Sequence, residues 1–322
     1  MLPQAATDFY ARQQRVNKTA ANEVARAWRG MGDDFDASWR RARPTVLAVL
    51  AEAQSQMTLA AADYVPQVLD EVGIPDRPVG DFQPGSLVGM ASDGRRLDTL
   101  TYGGVTEAKT AVANGATTQQ ALKQGGNWLD LTTKLQVADA ARQAVGVLTA
   151  SRKNLGGTVR VLNPPSCQRC AILAGRFYRW SKGFDRHPRC DCVNMPAERK
   201  AWAEAEGFIT DPMVAYRNGE IHDLTNAQTK AIDEGADIGQ VVNAYRGIST
   251  TATQTRLRPS NLTRGAVEPG MPDLVSGILG ARASVGRTER ARVLTPEGIY
   301  QQAKSRDEAI ALLREHGYIT TT

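Results

Sequence analysis

Along the first seventy positions, apolar residues recur at helical spacing. Val24, Ala27, Trp28 and Met31 share one face, then Val46, Val49, Leu50 and Ala53 share another, which predicts helices over about residues 5–72. Pro44 suits the first turn of a new helix, and Pro66 marks a break or kink. Residues 73–104 hold ten Gly or Pro in 32 positions and read as a loop or linker. Helical pattern resumes over 105–114, where Asn114-Gly115 is a stop, and again over 117–123. A longer helix follows, with Leu135, Ala138, Ala141, Val145 and Leu148 in one stripe, and Gly156-Gly157 ends it. Residues 158–162 (TVRVL) alternate as a strand with Val159 and Val161 on one side. Pro164-Pro165 then turns the chain, and residues 177–180 are the expected returning strand.

Beyond this hairpin, residues 196–207 read as a short helix. Thr225 with Gln228, and Asp237 with Gln240, are capping boxes opening helices that Gly235 and Gly247 close. The two short helices admit a helix-turn-helix reading, with Gln240, Asn243 and Arg246 toward DNA, although such hairpins are common in proteins that never touch it. Residues 248–294 show no sustained periodicity and carry seven arginines against three acids, which predicts an arm ordered only by a partner. Thr295-Pro296-Glu297 starts a helix. Ser305 with Glu308 caps another, with Ile310 and Leu313 on its apolar face and Gly317 as its stop. The expected organisation is a helical region 1–104 with its linker 73–104, a central module 105–200, short helices 201–247, a basic linker 248–294 and terminal helices 295–322. The fold class is α+β, predominantly α-helical, with a small zinc-stapled β-hairpin module in the centre.

Composition narrows the function classes. The longest apolar run, residues 46–51, stops at Glu52, so no membrane span is expected. The charged start of the chain argues against export and for folding in the cytoplasm. The net charge of +5 is only mildly basic.

The cysteines change the picture most. All four, Cys167, Cys170, Cys190 and Cys192, fall in one 26-residue window that also holds His187. In a reducing compartment disulfides explain such clustering poorly. A C-x-x-C knuckle closed by a second pair drawn from His187, Cys190 and Cys192 suits one structural Zn²⁺ per chain, with four sulfurs or three sulfurs and a nitrogen. Five candidates compete for four places. A redox C-x-x-C lacks the strand-then-helix surroundings of the thioredoxin type, and unligated packing is the third reading.

From Arg160 to Lys200 there are nine basic residues against three acids, interleaved with Phe177, Tyr178, Trp180 and Phe184. Arg169, Arg176, Arg179, Lys182, Arg186 and Arg189 are candidate nucleic-acid contacts. The plainer reading makes the aromatics a small core under the metal and the arginines its solvated face. No catalytic residue is assigned, since the signatures of hydrolases, zinc proteases, phosphate-binding loops and dinucleotide sites are missing. His222 beside Asp223 does not make a triad, because sequence neighbours rarely face each other, and His316 reads as exposed. A zinc-stapled nuclease is the more serious enzymatic rival, but it needs a second, catalytic metal.

The run VRVLNPPSCQRCAILAGRFYRWSKGFDRHPRCDC resembles the signature of phage Mu F-like minor head proteins. Cys167 and Cys170 correspond to its C-x-x-C, Leu173, Gly175 and Tyr178 to its middle L-x-G-x-x-Y segment, and residues 187–192 to its closing H-P-x-C-x-C. Asp191 stands where an arginine is usual. The likeness covers about residues 105–196, and IDEGADIGQVVNAYRG and LTPEGIYQQAKSRDEAIALLREHGYI resemble the C-terminal region of such proteins in actinobacterial phages. The resemblance implies a minor capsid protein acting in head morphogenesis beside the portal, with portal and major capsid or scaffold proteins as partners. Phage DNA is a further expected contact, at packaging or ejection. It also implies residence in the virion, at the capsid interior or portal vertex, and no small-molecule substrate. A capsid maturation protease fusion and a zinc-stapled DNA-binding protein or nuclease are the alternatives.

Overall fold

The computed structural model describes residues 2–162, 166–181, 192–208, 211–244 and 296–320. The chain is α+β and mostly helical. Three long helices form its body: α1 (Gln4–Trp28), α2 (Phe35–Glu71) and, further on, the 33-residue α5 (Thr118–Ala150). Among the described residues no helix is long and apolar enough to cross a membrane.

Both prolines expected to start or break helices lie inside the continuous α2. The i−4 carbonyls they orphan belong to Arg40 and Ala62, which are exposed and half-buried respectively, so water can satisfy them. Val46, Leu50 and Met57, then Val65, Val68 and Leu69, are fully buried on either side, and that burial overrides the local penalty.

Residues 73–104 are not a free linker. They contain β1 (Asp81–Phe82), a 3₁₀ turn (Pro84–Leu87) and the short α3 (Leu97–Thr101), and they bury Ile74, Leu87, Ala91, Leu97 and Leu100 in the main core. Helix glutamines hold this stretch by its backbone. Gln54 accepts from the Gly89 N–H at 2.9 Å and donates to the Met90 carbonyl at 2.8 Å, and Gln136 accepts from the Ser92 N–H at 2.8 Å. Glycine and proline content reports the absence of periodicity, and buried amides on neighbouring helices supply the order instead.

Helix α4 (Gly103–Ala113) ends at the expected stop, but the two helices expected after it are one. Gly125 and Gly126 lie inside α5, where they cost helix propensity and let other elements approach. A Cβ at Gly125 would meet the Gly104 carbonyl oxygen at 2.4 Å and the Trp28 ring at 2.8 Å. One at Gly103 would meet the Trp128 ring at 2.3 Å. The Trp28 indole fills this glycine-lined slot, donates from Nε1 to the Leu122 carbonyl at 2.9 Å, and meets the Trp39 ring edge-on at 6.2 Å.

After α5 the chain forms β2 (Gly157–Val161), β3 (Ser166–Cys167), the single-turn α6 (Gln168–Ala171), β4 (Phe177–Arg179) and β5 (Val193–Ala197). The expected hairpin is a three-stranded antiparallel sheet with β2 in the middle, in the order β4–β2–β5. Pro196, read as a helix start, is instead paired with Thr158 on an edge strand, where a proline is tolerated. The helix α7 begins only at Lys200 (Lys200–Ala205). Strand β5 packs on α1, α2 and α5, and the buried Tyr64 hydroxyl of α2 donates to the Asn194 carbonyl at 3.1 Å. Burial pushes the Tyr64 pKa up, which keeps that hydroxyl a neutral donor.

The remaining described elements are α8 (Pro212–Arg217), β6 (Ile221–His222), α9 (Asn226–Asp233), α10 (Ile238–Ala244), α11 (Pro296–Gln302), α12 (Arg306–Glu315) and β7 (Ile319–Thr320). The Thr225–Gln228 capping box forms as expected, and Ser305 accepts from the Glu308 N–H. The expected linker 248–294 lies outside the described residues.

The terminal helices do not stand apart. Strand β7 pairs with β1, placing Phe82 opposite Ile319, and Ile299, Ile310 and Leu313 are buried in the main core. Arg306 plugs the end of α5, donating to the carbonyls of Thr149 (2.9 Å), Ala150 (3.1 Å), Lys153 (3.1 Å) and Leu155 (2.5 Å). Its guanidinium also lies 5.3 Å from the Trp180 ring centre. Burial pushes its pKa down to about 10, still charged at neutral pH. One planar fork thus satisfies the orphan carbonyls of a helix terminus and complements its dipole.

Two outcomes follow from this packing. Gly125→Ala should lower stability by about 1–3 kcal/mol in chemical denaturation, the usual cost of overpacking, whereas Gly85→Ala, whose Cβ meets nothing within 4 Å, should leave it unchanged. Arg306→Lys should also destabilise, by about 2 kcal/mol, because a single ammonium cannot replace the fork. Hydrogen exchange should then show faster exchange of the last turn of α5 and of α12, with the α1–α2 pair unaffected.

Candidate functional site

Every position of β2 is buried, so both faces of the central strand are covered. Val159 and Val161 point into the helical core together with Val193 and Met195. The opposite face carries Arg160, whose register partner is Asn194. Two residues before Asn194 on the same line comes Cys192, a diagonal neighbour of Arg160. This face covers a second, smaller cluster in which Cys170 and Cys192, both fully buried, pack with Cys167, Leu162 and Tyr178.

The three cysteines reach this cluster by different routes. Cys167 ends β3 and caps α6, its sulfur accepting from the Cys170 N–H at 3.4 Å. Cys170 is carried inward by the single turn of α6, and Cys192 enters with β5. Cys167 is half-buried, the other two fully buried. Among the described residues no three His, Cys, Asp or Glu side chains close into a metal-binding group. Cys190 and His187 lie outside the described residues. The donor chemistry gathered here, thiol sulfurs in an apolar surround, suits a soft or borderline metal such as zinc.

Arg160 is the residue that sequence reasoning misplaced. It was counted with the basic face around the cysteines, yet it is 0% exposed, and its Nε donates to the Cys192 sulfur at 3.0 Å. Its main chain is tied to the turn before β4, donating to the Arg176 carbonyl at 3.0 Å and accepting from the Gly175 N–H at 2.8 Å. The alternation of TVRVL does put Arg160 opposite the valines, but one strand cannot reveal that its other face is also covered. Of the candidate nucleic-acid contacts, Arg169, Arg176 and Arg179 are exposed. Lys182, Arg186 and Arg189 lie outside the described residues. Trp180 is not part of a small core under a metal: it packs on the main core and edge-on to Tyr300, at 6.1 Å between ring centres.

The segment after residue 200 docks on the cysteine module and does not form a separate unit. Strand β6 runs parallel to β3, with Cys167 opposite His222. Gln168 donates to the Asp223 carbonyl at 2.6 Å and accepts from Gln228 at 2.8 Å. Ile172 shares a third apolar cluster with Ile232, Ile238 and Val242. His222 and Asp223 do face each other, with Nδ1 2.7 Å from Oδ2. Asp223 adopts a left-handed φ of 69°, and that reversal lets neighbouring side chains meet on the exposed end of β6. Helices α9 and α10 pack together, while Arg246 and the side chains of Gln240 and Asn243, the residues of the helix-turn-helix reading, lie outside the described residues.

Exposure sets the order of thiol chemistry. In metal-free folded protein, peptide-resolved alkylation should modify Cys167 roughly tenfold or more faster than Cys170 and Cys192, which should react only as the sheet opens. Equal rates would contradict the burial. Compared with family models, curated proteins and solved structures, the chain matches none.

Proposed function

We propose that the protein is a structural component of a phage head, a minor head morphogenesis protein of the Mu F-like type whose central module is stapled by one zinc ion. The observation that carries this reading is the gathering of Cys167, Cys170 and Cys192 into one buried cluster within the stretch that bears the family likeness. With Cys167, Cys170 and Cys192 as three ligands, either His187 or Cys190 would be the fourth. The metal would supply folding energy to a module whose own apolar core is small, because thiolate ligation is available only in the folded chain. Arg306, the β1–β7 pair and the docked 211–244 segment then make the module one piece with the helical body. A rigid body carrying an arginine-rich segment over 248–294 suits assembly against other proteins of the head.

A DNA contact is the second reading, and the exposure of Arg169, Arg176 and Arg179 beside the cysteine cluster favours it. It predicts affinity for duplex that falls steeply with salt, about one unit of log–log slope per phosphate contact.

Protein purified without chelator should carry about one zinc per chain. Cys167→Ser and Cys170→Ser should lose the metal and the cooperative melting of the central module, while the helical signal of α1, α2 and α5 persists. Unchanged metal content and melting in both variants would refute the staple. Co-expression with portal protein should retain the chain on a portal affinity column. Metal-loaded protein that passes through while binding DNA with a strong salt dependence would decide for the second reading.

A further inference from the structure

We infer that the solvent face of α1 is a docking surface for the phosphate backbone of duplex DNA. Arg12, Arg15, Lys18, Arg26 and Arg29 are all exposed, and at ~100° per residue they share about 120° of the helix circumference. Phe9, Gln13, Ala20, Val24 and Trp28 take the opposite side and are buried. At ~1.5 Å per residue the cations run for about 26 Å, the length of about seven or eight base steps. None of the five makes an ion pair with another described residue. Between Arg12 and Arg29 the only acid is Glu23, just beyond the edge of the row; Asp8 precedes it and Asp33 and Asp34 follow it. Helix α2 widens the row. A cleft of about 410 Å³ between α1 and α2 is lined by Arg26, Arg41, Ser38, Thr45 and Glu23. Arg41 is exposed there, 3.4 Å from the Ser38 hydroxyl.

The chemistry of this face selects among polyanions. An anionic membrane would need an apolar face to insert, and that of α1 is spent on the core. An acidic protein partner would need buried aromatic or aliphatic anchors at the centre of its interface. The exposed large apolar residues among those described are Leu59, Tyr102, Val112 and Val214, and none lies on α1 or lines the cleft. Between the cations the exposed side chains are Gln14, Thr19 and Asn22, which are phosphate-type hydrogen-bonding groups. A straight, polar row of unpaired cations suits a backbone whose charge repeats regularly and needs no base to be read. The inference is independent of the zinc staple, and it assigns to the helical body a contact that the sequence placed on the cysteine module.

The test titrates the full chain into a fluorescein-labelled duplex of random sequence, about 24 base pairs long, at several salt concentrations between about 50 and 200 mM. The unaltered protein should bind, with affinity falling steeply as salt rises. Arg15→Gln, Lys18→Gln, Arg26→Gln and Arg29→Gln combined should reduce the log–log salt slope by about three to four units and the affinity at low salt by about 100-fold or more. Arg15→Lys, Arg26→Lys and Arg29→Lys combined should keep the slope, since the contact depends on charge. Arg169→Gln, Arg176→Gln and Arg179→Gln combined should keep it too. The inference is overturned if the unaltered chain leaves the duplex free, or if the glutamine variant of α1 keeps its slope. It also falls if the lysine variant loses the slope, or if the cysteine-module variant alone does. Displacement of the duplex by poly-glutamate as readily as by unlabelled duplex would assign the face to an acidic protein instead. Metal content, measured separately, bears on the zinc reading alone.

Discussion

The packing of the protein turns on how closely α4 and α1 can approach α5. Three backbone positions, Gly103, Gly125 and Gly126, leave room for the rings of Trp128 and Trp28, and the gaps are too narrow for even a methyl group. With the Trp28 indole seated, α1 ends against the N-terminal half of α5, and α2 closes over both through Trp39. Burying an indole of this size contributes on the order of 4–6 kcal/mol by area, an upper value for the folded state. The glycines give up helix propensity in a 33-residue helix that has enough turns elsewhere to hold. The other end of α5 then serves as the wall on which the sheet and the terminal helices are assembled.

That wall explains why the cysteine module is well placed for a structural role. Its central strand has one face in the helical core and the other against the sulfurs, so whatever holds the sulfurs also holds β2. Arg160 is the link: its main chain belongs to the sheet and its side chain to the cysteine cluster. At the far edge, Trp180 lies under the Arg306 guanidinium that closes α5. The chain thus brings residues 4–28, 157–161, 193–197 and 306–320 into one connected body.

Much of the local structure was legible. The helical stripes over α1, α2 and α5, the strand at 157–161, the capping box at Thr225 and the glycine stops at Gly115, Gly235 and Gly317 depend on contacts a few residues apart, and they form as the residue pattern suggests. Gly156-Gly157 instead opens β2, six residues after α5 has ended. The readings that failed share a different cause. Pro44 and Pro66 looked like helix boundaries because their penalty is local, whereas the burial that outweighs it comes from other helices. Residues 73–104 looked like a linker because Gln54 and Gln136, which order them, lie 35 or more residues away.

The candidate site divides in the same way. The spacing of Cys167, Cys170, His187, Cys190 and Cys192 suggests a sulfur-rich centre because ligand spacing is short-range, and the structure gathers Cys167, Cys170 and Cys192 of that set. The sequence by itself determined the helical class and the strand that leads into the cysteines. Only the tertiary structure decided that Arg160 is a buried partner of Cys192 and not part of a basic surface, that His222 lies beside Cys167, and that Arg306 reaches back over 150 residues to close α5. Periodicity shows which faces of an element are alike, but what covers each face depends on elements distant in the chain, and burial of charge is settled there.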